Sequence, residues 1–303
     1  MSPESTSHPF PAPAPPSSAP TPVPVDGGTL HVRRQGRHGP ALVLVHYWGG
    51  SARTWDALVR HLPPDRATVR YDQRGWGRSR ALPGPHHLEQ LTEDLLAVTR
   101  GLRLDHFVLV GHSMGGKVCQ LAAARRPEGL AGLVLVAPAP PRPAPTATPD
   151  HGRGLARAYD TAESAGHALD HVLTAAPLPP AVRAAAVRDS LAADTPAREE
   201  WPLHGLAADI TAACAGIRVP TLVLTGRHDR VEPADLLRTH LLPHLPHARL
   251  TTVPDAGHLL PLEAPAVLAA AVESFTAGLP APSPAGPRNR IGGPPPLLPI
   301  VGA

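Results

Sequence analysis

The chain has 303 residues, of which 42% are apolar, so it can bury a sizeable core in one large domain or two small ones. Its formal charge of +3 comes almost wholly from arginine, and no basic run interleaves with the scarce aromatics (3%), which argues against a nucleic-acid partner. No apolar stretch is long enough to cross a bilayer, and no charged start precedes an apolar core. No membrane partner is therefore expected, and a cytoplasmic location follows by default. Cys119 and Cys214 lie far apart and nothing in their setting asks for a disulfide.

Residues 1–27 are rich in Pro, Ser and Ala, a composition that buries too little apolar surface to offset ordering entropy; they read as a disordered tail. Residues 28–278 read as the folded domain. Thr29–Arg33 suggests an exposed first strand, and Ala41–Val45 a buried one bounded by Gly39-Pro40. After it comes His46-Tyr47-Trp48-Gly49-Gly50-Ser51, a glycine-rich turn with Ser51 suited to cap a helix reaching about His61. Backbone amides at such a turn face a bound group, and the Trp48 N–H is the candidate here. Ala67–Tyr71 is the next strand, and Asp72 and Arg74 are expected to pair and hold the loop that follows. Leu88, Leu91, Leu95, Val98 and Leu102 recur at helical spacing and define one buried stripe.

The most informative stretch is Phe107–Lys117. Four β-favouring residues lead into Gly111-His112-Ser113-Met114-Gly115, and an Ala- and Leu-rich helix follows. Strand, G-x-S-x-G turn and helix together present the Ser113 hydroxyl on a tight corner, with small residues where backbones approach closely. The Met114 N–H, at the start of the helix, is the second candidate to hold an oxyanion.

Leu130–Ala137 is another buried strand. Residues from about 140 to 206 look helical with proline interruptions, and an insertion between core strands reads as a helical lid. Val219–Thr225 resumes the sheet and ends in Gly226-Arg227-His228-Asp229; Arg249–Val253 ends in Pro254-Asp255-Ala256-Gly257-His258. Glu263–Phe275 reads as the closing helix and residues 279–303 as a second Pro/Gly tail. The spacing of His240, His244 and His247 suggests a metal, but Pro243 and Pro246 break the helix that would align them; none is expected.

Strands alternating with helices imply an α/β fold with a mostly parallel sheet, whose sites gather at the carboxyl ends of the strands. Ser113, Asp229 and His258 each follow a strand. A serine needs a base to become nucleophilic, an imidazole can take and return the proton, and a carboxylate can orient that imidazole. Asp255 is the alternative acid, only three positions before the histidine; the order Ser…Asp…His favours Asp229.

On these motifs, and on Asp72-Gln73-Arg74-Gly75-Trp76-Gly77-Arg78-Ser79, the sequence resembles serine hydrolases of the α/β-hydrolase fold superfamily over roughly residues 29–278. It is most similar to the branch of cofactor-free haloperoxidase-like esterases and carbon–carbon bond hydrolases. The resemblance implies a small-molecule carbonyl substrate and chemistry without a metal or organic cofactor. Tyr47 departs from that branch, which has glycine there; its side chain is expected to narrow the pocket or contact substrate. Acyl transfer, perhydrolysis, carbon–carbon hydrolysis and a non-catalytic ligand receptor use the same framework and stay open.

Overall fold

A computed structural model describes residues 20–280. Eight strands, β1 (Thr21–Val25), β2 (Gly28–Gln35), β3 (His38–Val45), β4 (Arg66–Tyr71), β5 (Phe107–His112), β6 (Leu130–Val136), β7 (Thr221–Gly226) and β8 (Ala248–Val253), form one sheet in the order β1-β2-β4-β3-β5-β6-β7-β8. β2 pairs antiparallel with both β1 and β4, and every other pairing is parallel.

The central strands are apolar on both sides because helices cover both faces. On one face Val43, Val45, Phe107, Leu109, Leu133 and Leu135 pack against α2 (Leu88–Gly101) and α3 (Met114–Ala124). On the other, Leu42, Leu44, Val108, Val110, Val134 and Val136 pack against α1 (Asp56–His61) and the closing helix Pro265–Ala277. The period of two along each strand sorts these residues into the two layers. Register is therefore specified from both sides: a one-residue slip would exchange the layers.

The sheet begins earlier than the composition of residues 1–27 suggests. Thr21–Val25, assigned above to the tail, pairs with β2 from Thr21↔Val32 to Val25↔Gly28, and Val23 is buried. Pro22 and Pro24 disguise this strand in the sequence. They fit because β1 is an edge strand, where a missing N–H donor leaves no ladder bond unmade. Residues 1–19 of that tail, and residues 281–303, lie outside the described residues.

Between β6 and β7 the chain forms a helical block: α4 (Pro149–Ala156), α5 (Ala162–Ala168), α6 (Pro180–Leu191) and α7 (Thr195–Glu200), with π-helical turns at Leu169–Leu173 and Trp201–Gly205. Among the described residues no helix is long and apolar enough to cross a membrane.

Candidate active site

β5 runs directly into the turn bearing Ser113, whose backbone sits at φ 54° and ψ −116°. Positive φ costs a residue with a Cβ on the order of 1–3 kcal/mol, so the surroundings must hold it. They do: the Ser113 N–H donates to Val136 O at 3.0 Å, and its carbonyl accepts from Gly116 N at 2.9 Å and Ala139 N at 3.2 Å. The flanking glycines are required by space. A Cβ on Gly111 would lie 2.4 Å from Gly115 O, and one on Gly115 would lie 2.5 Å from the carbonyls of both Val45 and His46. α3 starts at Met114, so that residue's N–H has no acceptor within the helix.

β7 and β8 deliver the other two groups to the same edge. His258 Nδ1 lies 3.0 Å from Asp229 Oδ2, and His258 Nε2 lies 2.9 Å from Ser113 Oγ. A carboxylate only accepts, so Nδ1 carries the proton and Nε2 is free to accept from the serine hydroxyl. Asp229 is fixed in turn by the amides of Val231 (2.8 Å) and Glu232 (2.9 Å), both donating to Oδ1. Burial alone would raise the Asp229 carboxyl, but His258 and those two amides outweigh it and hold it below the usual carboxylate range. The His258 loop is pinned from three sides. Its N–H donates to Leu173 O at 2.9 Å, its carbonyl accepts from His112 Nε2 at 2.8 Å, and the Glu263 carboxylate accepts from Gly257 N and Leu259 N.

Trp48 follows β3 at that edge. Its N–H has no protein acceptor among the described residues, while its carbonyl accepts from Trp76 Nε1 at 2.6 Å and its indole donates to Arg198 O at 2.8 Å. The Tyr47 ring packs against His112, with centroids 5.1 Å apart, and against Leu169, Leu178 and Leu259. Tyr47, Trp48, Ser113 and His258 all line one cavity of about 880 Å³ between the sheet edge and the helical block. Its remaining wall includes Leu155, Tyr159, Val172, Leu173, Trp201 and Leu206.

One sequence expectation needs correction. Asp72 and Arg74 do not pair. Asp94 on α2 faces the Arg74 guanidinium at 2.8 and 2.9 Å in a fully buried ion pair, and the amides of Ala52 and Arg78 take up the Asp72 carboxylate. Asp255, the alternative acid, is exposed and takes no part in the His258 hydrogen bonds. Four further residues at the site had no motif to mark them: Asp189 and Ser190 on α6, Glu232 beside Asp229, and Glu263. Asp189 accepts from Ser51 Oγ at 2.7 Å and pairs with Arg53, and Ser190 Oγ donates to Gly49 O at 3.0 Å.

The family model for the alpha/beta hydrolase fold matches residues 40–265, and the chain belongs to that family. It is 31% identical over 237 residues to a Pseudomonas savastanoi pv. phaseolicola protein that carries the name carbamate hydrolase RutD, covering 75% of this chain and 89% of that one. It is 29% identical over 252 residues to the sn-1-specific diacylglycerol lipase ABHD11 of Mus musculus, covering 78% and 81% respectively. Among solved structures, the enol-lactonase from Burkholderia xenovorans LB400 superposes with a TM-score of 0.73 at 26% identity, over 85% of this chain and 100% of that one.

Proposed function

We propose that this protein is a serine hydrolase that cleaves a small ester or related carbonyl compound through an acyl-enzyme. One observation carries the reading: the relay Asp229–His258–Ser113, closed by contacts of 3.0 and 2.9 Å, opens on a cavity of about 880 Å³. Ser113 Oγ attacks the substrate carbonyl as His258 Nε2 takes its proton, and Asp229 stabilises the imidazolium. Charge developing on the carbonyl oxygen is met by the amides of Trp48 and Met114. The tetrahedral intermediate collapses when His258 returns the proton to the leaving group, and a water activated by the same imidazole then hydrolyses the acyl-enzyme. The helical block serves as a lid that keeps the cavity dry, and Tyr47 shapes the acyl pocket. The relatives' names point the same way, since carbamates, diacylglycerols and enol-lactones all present an acyl carbonyl bonded to oxygen.

A panel of p-nitrophenyl esters of increasing chain length tests this. Turnover is expected with short chains, falling roughly 10⁴-fold or more in Ser113→Ala. A folded Ser113→Ala protein with wild-type turnover would overturn the assignment of the nucleophile.

A further inference from the structure

The relay leaves one buried group on the cavity wall unused. Glu232 is 4% exposed and lines the same cavity as Ser113 and His258, yet its Oε2 has no hydrogen-bond partner among the described residues. The other carboxyl, guanidinium and imidazole side chains on that wall outside the relay, His151, Arg157, Glu163, His167 and Arg230, are all exposed and solvated. Glu232 is held in place from below: its N–H donates to Asp229 Oδ1 at 2.9 Å and its carbonyl accepts from Thr225 Oγ1 at 3.1 Å. A polar group desolvated in this way calls for a partner, and a ligand in the cavity can supply it.

Two charged groups define which ligand fits. Burial and the neighbouring Asp229 carboxylate push the Glu232 carboxyl well above the usual range, against the pull of Lys117. Lys117, the only lysine in the chain, spends its ammonium elsewhere, on the carbonyls of Gly205 (3.3 Å) and Leu206 (3.4 Å), 5.9 Å from the Trp201 ring centroid. Its positive charge disfavours a cationic ligand. The unpartnered Oε2 is a hydrogen-bond acceptor, which matches the N–H of an amide or carbamate.

We propose that Glu232 is a specificity-determining residue that receives the neutral N–H of an amide or carbamate group carried by the substrate. The proposal rests on the serine-hydrolase reading for where the scissile carbonyl sits, and on Glu232 alone for the second contact. Matched substrates test it: aryl esters bearing an acetamido group, and analogues in which an acetoxy oxygen replaces that N–H. The group is set on either the acyl or the alcohol side, over a range of methylene spacers. In at least one pair the wild type is expected to prefer the N–H compound roughly tenfold in kcat/KM, because the acetoxy oxygen leaves the acceptor unpaired. Glu232→Leu is expected to reduce that ratio to about one, and Glu232→Gln, which still accepts, to preserve it. A wild-type ratio of about one in every pair, an unchanged ratio in Glu232→Leu, or a preference for an aminoalkyl ester over the acetamido ester would each overturn the proposal. Calorimetric binding of the corresponding methyl esters to Ser113→Ala reads the same ratio without turnover. A wild type inert on all esters, with that binding preference intact, would overturn the hydrolase reading and leave the Glu232 contact standing.

Discussion

At Ser113 a hydroxyl that water would leave inert faces an unprotonated imidazole nitrogen at 2.9 Å, and the backbone strain that presents it is held by main-chain hydrogen bonds. The histidine next to it, His112, does different work. It is fully buried, and its Nε2–H donates to the His258 carbonyl. Burial, and then repulsion from His258, push its pKa from 6.5 down to about 3. Below pH 6.5 the unfolded chain therefore takes up a proton that the folded chain refuses. The stability tied to neutral His112 is full above that pH and is lost as pH falls toward 3. At pH 5 the loss amounts to about 2 kcal/mol. His112→Gln keeps a donor for the His258 carbonyl but cannot titrate. Urea unfolding at pH 7 and pH 5 is expected to cost the wild type about 2 kcal/mol more than the variant; equal losses would contradict the account. His46, also buried and also lowered, is present in both proteins and cancels from the comparison.

At the scale of elements, α6 lends no residue to the cavity wall but holds the turn beside it. Asp189 accepts from Ser51 and pairs with Arg53, Ser190 holds the Gly49 carbonyl, and Arg198 on α7 accepts the Trp48 indole N–H. These contacts clamp the turn that carries the Trp48 amide, with Trp76 gripping it from the sheet side. In the proposed mechanism, that geometry sets where the oxyanion is met. Asp189→Ala is expected to lower kcat roughly tenfold, less than the ~10²-fold that loss of an oxyanion donor would cost, with a smaller change in KM. Asp189→Asn still accepts from Ser51 and is expected to recover most of the loss. Steady-state kinetics well below the melting temperature check this. A less stable Asp189→Ala protein with unchanged kcat would make the clamp a matter of stability alone.

Over the whole molecule, what could be read from sequence follows how locally each feature is encoded. The buried parallel strands are continuous apolar runs, as in Leu42–Val45 and Phe107–Val110, and helices on both faces make that pattern unambiguous. Ser113, Asp229 and His258 each close a strand with distinctive turn residues, so their meeting at one edge followed from topology. Strand β1 was hidden because Pro22 and Pro24 carry no β signal, and only its edge position excuses them. The partners of Arg74 and Asp189 were hidden for another reason. Each contact joins different elements of the chain, as between Ser51 and Asp189, and no local pattern announces such a pair.

The proposed chemistry needs one side chain among 303 residues to be nucleophilic. Labelling with a fluorophosphonate, followed by peptide mass spectrometry, tests that most directly. The account expects one equivalent of label on Ser113 in the full-length protein, and none in Ser113→Ala or after His258→Ala removes the base. Ester turnover that survives with Ser113 unlabelled, or stoichiometric label on a different residue, would contradict it.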